Sequence, residues 1–431
     1  MMPKQPFISI PLDISDLRVL QTDLTASGNY ILTVESALES TICRRCGQEI
    51  HELHGLEQSR LLRHLPILGT PVYLRIRPKR FRCPFCDDHP TTTQQLDWYD
   101  PKALHTKAYE RHLIVQLIGS TLSDVTEKED VTYACLLSVL DRWVATSVDW
   151  KDLPPCPTLG IDEIALLKGH RDYLAVISAR DESGMLHVVA ILPDRLKTTI
   201  VAWLKALPDA VRERITTVCT DMWEGYVTAV EEALPKAQIV IDRFHVARHY
   251  REAVDSLRKQ EVKRLKKELP AQQHDDLKHL MWPLRKQSSD LSEEERARLE
   301  RLFGLSPALK QAVALRDQLT AIFETARSRL DALRRLHFWK QRVARSGLTC
   351  FDPFLKLLET WQDRIANYFI AHANSGFVEG LNTKLKVLKR RCYGMRNSGR
   401  LFQRLTLDVA GYRRFSPWNV PTTSSTLHGN S

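Results

Sequence analysis

The spacing of apolar positions changes character several times along the chain. Tyr30-Ile-Leu-Thr-Val predicts a strand within residues 1–40. Val72-Tyr-Leu-Arg-Ile-Arg-Pro-Lys-Arg-Phe-Arg alternates apolar and basic positions, a period of two, which predicts a strand with one basic face carrying Arg75 and Arg77. Between 102 and 147 the spacing turns helical. Leu113, Leu117, Leu136, Leu137, Leu140 and Val144 fall on helix faces, with Ser123 as a candidate N-cap. Helices of this size suit a helix-turn-helix or a plain helical spacer. Asp152-Leu-Pro-Pro-Cys-Pro reads as a linker.

Strands and helices then mix. Tyr173-Leu-Ala-Val-Ile-Ser and Leu186-His-Val-Val-Ala-Ile-Leu pair as a hairpin around Asp181-Glu-Ser-Gly, and a helix follows over 198–207. Ile215-Thr-Thr-Val-Cys is a strand, 223–233 a helix and Gln238-Ile-Val-Ile a last strand. A hairpin followed by strand–helix–strand is the order an RNase H-like mixed sheet requires, so the fold class is α/β. Residues 244–372 are rich in Leu, Lys, Arg and Glu with almost no strand signal, which predicts a long all-helical insertion. The expected organisation is N-terminal strands over 1–40, a four-cysteine zinc domain over 41–98 and a helix-turn-helix-like region over 99–150. A first catalytic part over 151–245, the insertion over 246–372, returning helices over 373–412 and a disordered tail over 413–431 complete it.

Composition narrows the class. Hydrophobic residues make up 43% and charged residues 26%, and no apolar run reaches membrane-spanning length, so a soluble, cytoplasmic protein is expected, with no signal peptide or membrane partner. The net charge of +10 is modest for 431 residues, so its distribution matters more than its size. From Arg60 to Arg82 there are seven Lys or Arg and no acid. Nine cysteines, an odd number, fit a reducing compartment better than a disulfide framework.

Four of those cysteines form two pairs, Cys43-Arg-Arg-Cys46 and Cys83-Pro-Phe-Cys86, with 36 residues between them. Two residues between thiolates let both bind one Zn²⁺, and a second pair closes a tetrahedral shell. A closed shell leaves no open position, so this zinc site is structural.

Three carboxylates carry the candidate chemistry. Asp162 in Gly160-Ile-Asp-Glu and Asp221 in Thr220-Asp-Met-Trp each end a β-branched run, 59 residues apart, on strands expected to be neighbours. Asp at a strand end is often only a turn former. The pair raises the odds of Mg²⁺ or Mn²⁺ ligation, because such hard cations prefer oxygen. Glu163 and Glu224 are rivals, and strand alternation turns Glu163 to the other face. Glu379 opens a helix in which Phe377, Leu381, Leu385 and Leu388 form an apolar stripe; Asn382, Thr383, Lys386, Lys389 and Arg390 share its polar face. The bland alternative is a first-turn acid favoured by the helix dipole, and the company of that polar face argues against it. From Gly380 to Leu407 stand eight cations and no acid: Lys384, Lys386, Lys389, Arg390, Arg391, Arg396, Arg400 and Arg404. A solvated face would mix signs, so this one points to nucleic acid. Asp242 and His245 in Asp242-Arg-Phe-His follow the last sheet strand, and Trp223 and Tyr226 follow Asp221, either as core or as partners for an unpaired base. Together the residues point to metal-assisted phosphoryl transfer on nucleic acid.

These segments, with Leu65-Pro-Ile-Leu-Gly-Thr-Pro-Val-Tyr-Leu-Arg, Asn374-Ser-Gly-Phe-Val-Glu-Gly-Leu-Asn and Lys389-Arg-Arg-Cys-Tyr-Gly-Met-Arg-Asn, resemble the ISL-three family of bacterial insertion-sequence transposases over residues 40 to 412. The resemblance implies an RNase H-like enzyme with an Asp-Asp-Glu triad at Asp162, Asp221 and Glu379, and an Asp-x-x-His element at Asp242 and His245. It also implies an N-terminal zinc finger and a helical insertion before the Glu. The expected partners are duplex DNA, as terminal inverted repeats and target, and further copies of the chain as a homodimer or higher oligomer on the bacterial nucleoid. Competing readings are an RNase H-like nuclease or resolvase that cuts without joining, and an inactive zinc-finger regulator.

Overall fold

The computed structural model describes residues 12, 14–165, 173–270, 274, 277–286, 290–371, 376–392, 395 and 397–416. Two compact units emerge: one runs up to Val144 and takes in the chain from Ala410, and the other spans Ala145–Val409.

In the first unit, a four-stranded sheet runs in the order Leu17–Leu24, Tyr30–Ser36, Thr70–Ile76, Arg60–Ile67. Leu32, Val34, Leu62, Val72, Leu74 and Ile76 are buried on it, the alternate positions that a period of two selects. The segment read as one strand over 72–82 is two. Pro78 offers no N–H to a ladder, and the chain breaks there. Thr70–Ile76 stays in the four-stranded sheet, while Lys79–Arg82 pairs with Glu52–Leu56 and Thr91–Thr93 in a separate three-stranded sheet.

Three helices follow, Lys107–Leu117, Leu122–Glu129 and Tyr133–Trp143. The middle one is capped by Thr121 rather than Ser123. Thr121 Oγ1 accepts from the Asp124 amide at 3.0 Å, and Asp124 Oδ2 accepts from the Thr121 amide at 3.1 Å. An acid at the third helical position completes this reciprocal box only with Thr121, which leaves Ser123 inside the first turn. Glu110, buried in the first helix, accepts from Arg142 at 2.5 Å and from the Trp143 indole at 2.9 Å, tying first helix to third. The last described helix, Ser398–Phe415, runs past the expected boundary at 412, and Arg111 donates to the Phe415 carbonyl at 2.8 Å. The remainder of the expected tail, 417–431, lies outside the described residues.

The second unit is built on a five-stranded sheet ordered Leu186–Leu192, Tyr173–Arg180, Thr158–Ala165, Thr217–Thr220, Gln238–Ile241. The first three strands form an antiparallel meander. The last two join it in parallel, linked through the helix Glu224–Ala233. This is the RNase H-like arrangement. Tyr173–Arg180 is buried along almost its whole length because both sheet faces are covered. One face packs Leu159, Ile161, Ala175 and Ile177 in a core that continues into the insertion. The other packs Ile164, Leu174 and Val176 against Leu381, Leu385 and Leu388.

The insertion is helical over its described residues. Its long helices are Arg243–Glu268, Glu293–Leu305, Pro307–Thr325, Arg329–Ser346 and Asp352–Ala366. Serine caps at 292, 306 and 328 start three of them, and Gly347 ends the fourth at φ 68°, a conformation that costs glycine little. Trp339 anchors the bundle: its indole donates to the Leu315 carbonyl at 2.8 Å and meets Phe351 and Phe354 edge-on. Asn367 donates to the Ile239 carbonyl at 2.8 Å, fastening the end of the insertion to the sheet's edge strand.

Candidate active site and zinc centre

The ladder sets the acids. Ile161 pairs with Thr220 and Thr220 with Ile241, so Asp162, Asp221 and Asp242 each come directly after the last paired residue of three neighbouring parallel strands. Neighbouring strands lie about 4.8 Å apart. Alternation turns Asp162 to the face opposite Ile161, where the helix Gly376–Arg391 packs through Leu381, Leu385 and Leu388. That helix reaches the acid directly. Asn382, buried, donates from Nδ2 to Asp162 Oδ2, and the Glu163 amide donates to Asp162 Oδ1 at 2.7 Å. Each Asp162 oxygen thus accepts one bond and keeps capacity for another.

Burial pushes the Asp162 carboxyl above the usual carboxylate range, and Asp242 and Glu163 add to it. Asp221 is pushed up to about 7, first by burial and then by the neighbouring Asp162, while His245 opposes the rise. A buried and a half-buried acid that resist ionising side by side are what a cation stabilises. The donor set fits one. Asp221 Oδ1, Asn382 Oδ1 and the Tyr226 hydroxyl are enclosed oxygens with no hydrogen-bond partner among the described residues. Glu379 stands one helical turn before Asn382; its side chain lies outside the described residues.

The neighbours divide by task. Asp242 caps the helix Arg243–Glu268, accepting from the Phe244 amide at 2.7 Å. His245 lies one turn on, 3.9 Å from Asp242 Oδ2. Glu163 turns away to an ion pair with Arg195 at 2.7 Å, as strand alternation requires. Arg195 has no signal in the sequence: it sits in the connection after Leu192, and only the fold brings it to Glu163.

The basic residues divide as well. Lys384, Lys386 and Arg390 are exposed. Lys389, half-buried, donates to the Ala165 carbonyl, and burial lowers its pKa. Arg391 pairs with Asp408 at 2.5 Å and Arg400 donates to Gln403 at 3.0 Å. In the first unit, Arg75 faces Asp23 at 3.9 Å and Arg77 donates to the Glu57 carbonyl at 3.3 Å. Arg396 lies outside the described residues.

The four cysteines converge. Cys43 and Cys46 sit on the turn between Thr41–Ile42 and Glu49–Ile50, where Gly47 takes φ 72°. Cys83 and Cys86 follow the strand Lys79–Arg82. All four Sγ atoms lie within 4.8 Å of one another, with Cys46–Cys83 at 3.7 Å and Cys83–Cys86 at 3.6 Å. Zn–S bonds of about 2.3 Å in a tetrahedron place sulfurs about 3.8 Å apart, so the set fits zinc. Without the ion, backbone amides of Cys46 and Arg45 hold Cys43 down to about 6, whereas burial and the adjacent thiols push Cys86 up to about 12. Proton release from these thiols accompanies loading.

A family profile described as Transposase, of the ISL-three (ISL3) type, matches residues 159–405. The chain belongs to the ISL3 transposase family. A second profile, the zinc-finger of transposase IS204/IS1001/IS1096/IS1165, matches residues 39–86, which contain all four cysteines. The transposase for insertion sequence element IS1001 of Bordetella parapertussis is 27% identical over 374 residues, covering 86% of this chain and 90% of that one. The transposase for insertion sequence element IS1557 of Mycobacterium tuberculosis is 25% identical over 428 residues, 94% of each chain. Among solved structures, the Drosophila P element transposase strand transfer complex aligns at TM-score 0.37 and 12% identity, over 70% of this chain and 90% of that one. As an ISL3 family member the chain is a transposase, a DNA-acting enzyme with a zinc-binding N-terminal region. No described helix is long and apolar enough to cross a membrane.

Proposed function

We propose that this transposase cuts and joins DNA at the ends of its insertion sequence, with Asp162, Asp221 and Glu379 holding two Mg²⁺ or Mn²⁺ ions. The observation that carries the reading is that Asp162 and Asp221 each directly follow the last paired step of their parallel ladder, Ile161–Thr220, with Asn382 of the helix that bears Glu379 bonded to Asp162. When bound, the cations neutralise charge at the reacting phosphate and activate water or a 3′-hydroxyl for in-line attack.

The protein's part is orientation and charge. Asn382 and the Glu163 amide fix the plane of the Asp162 carboxylate. Asp221 supplies an enclosed oxygen that nothing else in its described surroundings engages. Cleavage and strand transfer use the same residues with different nucleophiles. Lys384, Lys386 and Arg390 contact phosphates. The zinc domain, with Arg75 and Arg77 near it, and the helices of 107–143 engage the terminal inverted repeats, and a homodimer or larger assembly brings two ends together.

The test is cleavage of duplex DNA carrying the element's own ends, in Mg²⁺. Asp162→Asn and Glu379→Gln should bind these ends normally and cleave them orders of magnitude more slowly, since each loses a charge that retains a cation. Near wild-type cleavage by Glu379→Gln would remove it from the site and turn attention to Glu324 or Glu359.

A further inference from the structure

Two residues after the half-buried Asp221, Trp223 remains 41% exposed. It is held from beneath. The Arg195 guanidinium lies 4.4 Å from the centre of its ring and 4.1 Å from that of Tyr173, so one cation serves both aromatic rings. Glu163 fixes the guanidinium by an ion pair at 2.7 Å. Gly225 makes the seat: a Cβ there would stand 2.6 Å from the indole nitrogen. Four residues from four places in the chain thus hold one indole that remains 41% exposed.

The arrangement has no evident structural purpose. A core tryptophan would be covered, and a cation meant for phosphate would not be neutralised by Glu163. An immobilised, half-exposed aromatic face is what an unstacked nucleobase recognises, whatever its identity. Trp223 follows Asp221 by two residues, at most about 7 Å along the backbone, which keeps the stacking surface within a nucleotide's reach of that acid.

We propose that Trp223 stacks on an unpaired nucleobase flanking the cleaved phosphodiester, with Arg195, Glu163 and Gly225 as residues that position the indole. The proposal rests on the active-site assignment made above, and the test separates the two. Random-sequence DNA is prepared as a blunt duplex and as a fork with 2-aminopurine at the unpaired junction, and both are bound without divalent cation. Wild type should prefer the fork by roughly 5- to 100-fold and quench the probe, as stacking of one base predicts. The preference should change little with salt, unlike phosphate binding.

Trp223→Ala should bring the ratio of the two affinities to about one and abolish quenching, with blunt-duplex affinity unchanged. Trp223→Phe should keep most of the preference. Gly225→Ala, which displaces the indole without deleting it, should lose it. A Trp223→Ala protein that still prefers and quenches the fork overturns the proposal, as does a wild type without preference. Asp162→Asn should retain the preference while losing cleavage in Mg²⁺. A wild type that stacks through Trp223 but never cleaves would refute the active-site assignment alone.

Discussion

Asn382 is the residue whose role changes most between sequence and structure. On a helical wheel it shares the polar face with Lys386 and Lys389. In the fold it is buried, and its amide is spent on Asp162. A hydrogen bond to a charged group contributes about 1.5–3 kcal/mol. Asn382→Ala should therefore raise the Mg²⁺ needed for half-maximal cleavage by roughly tenfold, with DNA affinity unchanged; a Mg²⁺ titration of cleavage checks this, and an unshifted curve refutes it. Asp221 has a pH signature. Its folded pKa is raised to about 7 by burial and by Asp162, against an unfolded value of about 3.9. Between those values the folded protein binds more protons than the unfolded chain, so stability in Mg²⁺-free buffer should fall as pH rises from about 4 to about 7 and level off above. Asp221→Asn should flatten that part of the profile in thermal unfolding. Added Mg²⁺ should raise the melting temperature of wild type more at pH 8 than at pH 5, because cation binding requires the ionised pair.

Among elements, the helix Gly376–Arg391 does three jobs with three faces. Leu381, Leu385 and Leu388 bury against the sheet, Asn382 meets the acids, and Lys384, Lys386 and Arg390 face solvent. Neutralising Lys386 and Arg390 to Ala should weaken binding to specific and random duplexes alike and lower the salt slope by about two. Lys389→Ala should instead lower thermal stability, because Lys389 is bonded to the Ala165 carbonyl at the end of the strand that carries Asp162. A loss confined to the specific ends would show that the exposed cations read bases rather than phosphates. The zinc turn is the other element with a decisive test. Elemental analysis should find one Zn²⁺ per chain in wild type and none in a Cys83→Ser, Cys86→Ser double variant, since two thiolates cannot complete the tetrahedron.

For the whole molecule, the two units draw on different sources of stability. The first depends on small sheets and a metal turn whose core is little more than Cys43, Ile50, Phe81 and Cys83. The second has a large continuous core from the sheet into the insertion and no cysteine of the zinc set. A strong zinc chelator should therefore unfold the region around residues 41–93 and leave the melting of the catalytic unit in place. Circular dichroism should retain most of its helical signal. Collapse of both units together would show that the second depends on the first.

Local pattern was sufficient for much of this protein. Short apolar runs marked the hairpin strands ending near Ser178 and Leu192, helical leucine spacing marked the insertion, and the repeated Cys-x-x-Cys spacing marked the zinc site, because each signal is carried by residues close in the chain. The break at Pro78 and the Thr121 cap were written locally too, and turned on a missing N–H and on the acid at position 124. What lay beyond the sequence was the combination of distant segments. The parallel register that puts Asp162 beside Asp221 joins residues 59 apart. The contact of Asn382 with Asp162 spans 220 residues, and Arg195 reaches Glu163 and Trp223 only once the meander has folded. Periodicity tells a chain which of its faces to bury. Which polar groups meet on the buried side is settled by packing, because desolvated acids and amides take whatever partners the assembled sheet and helices bring within reach.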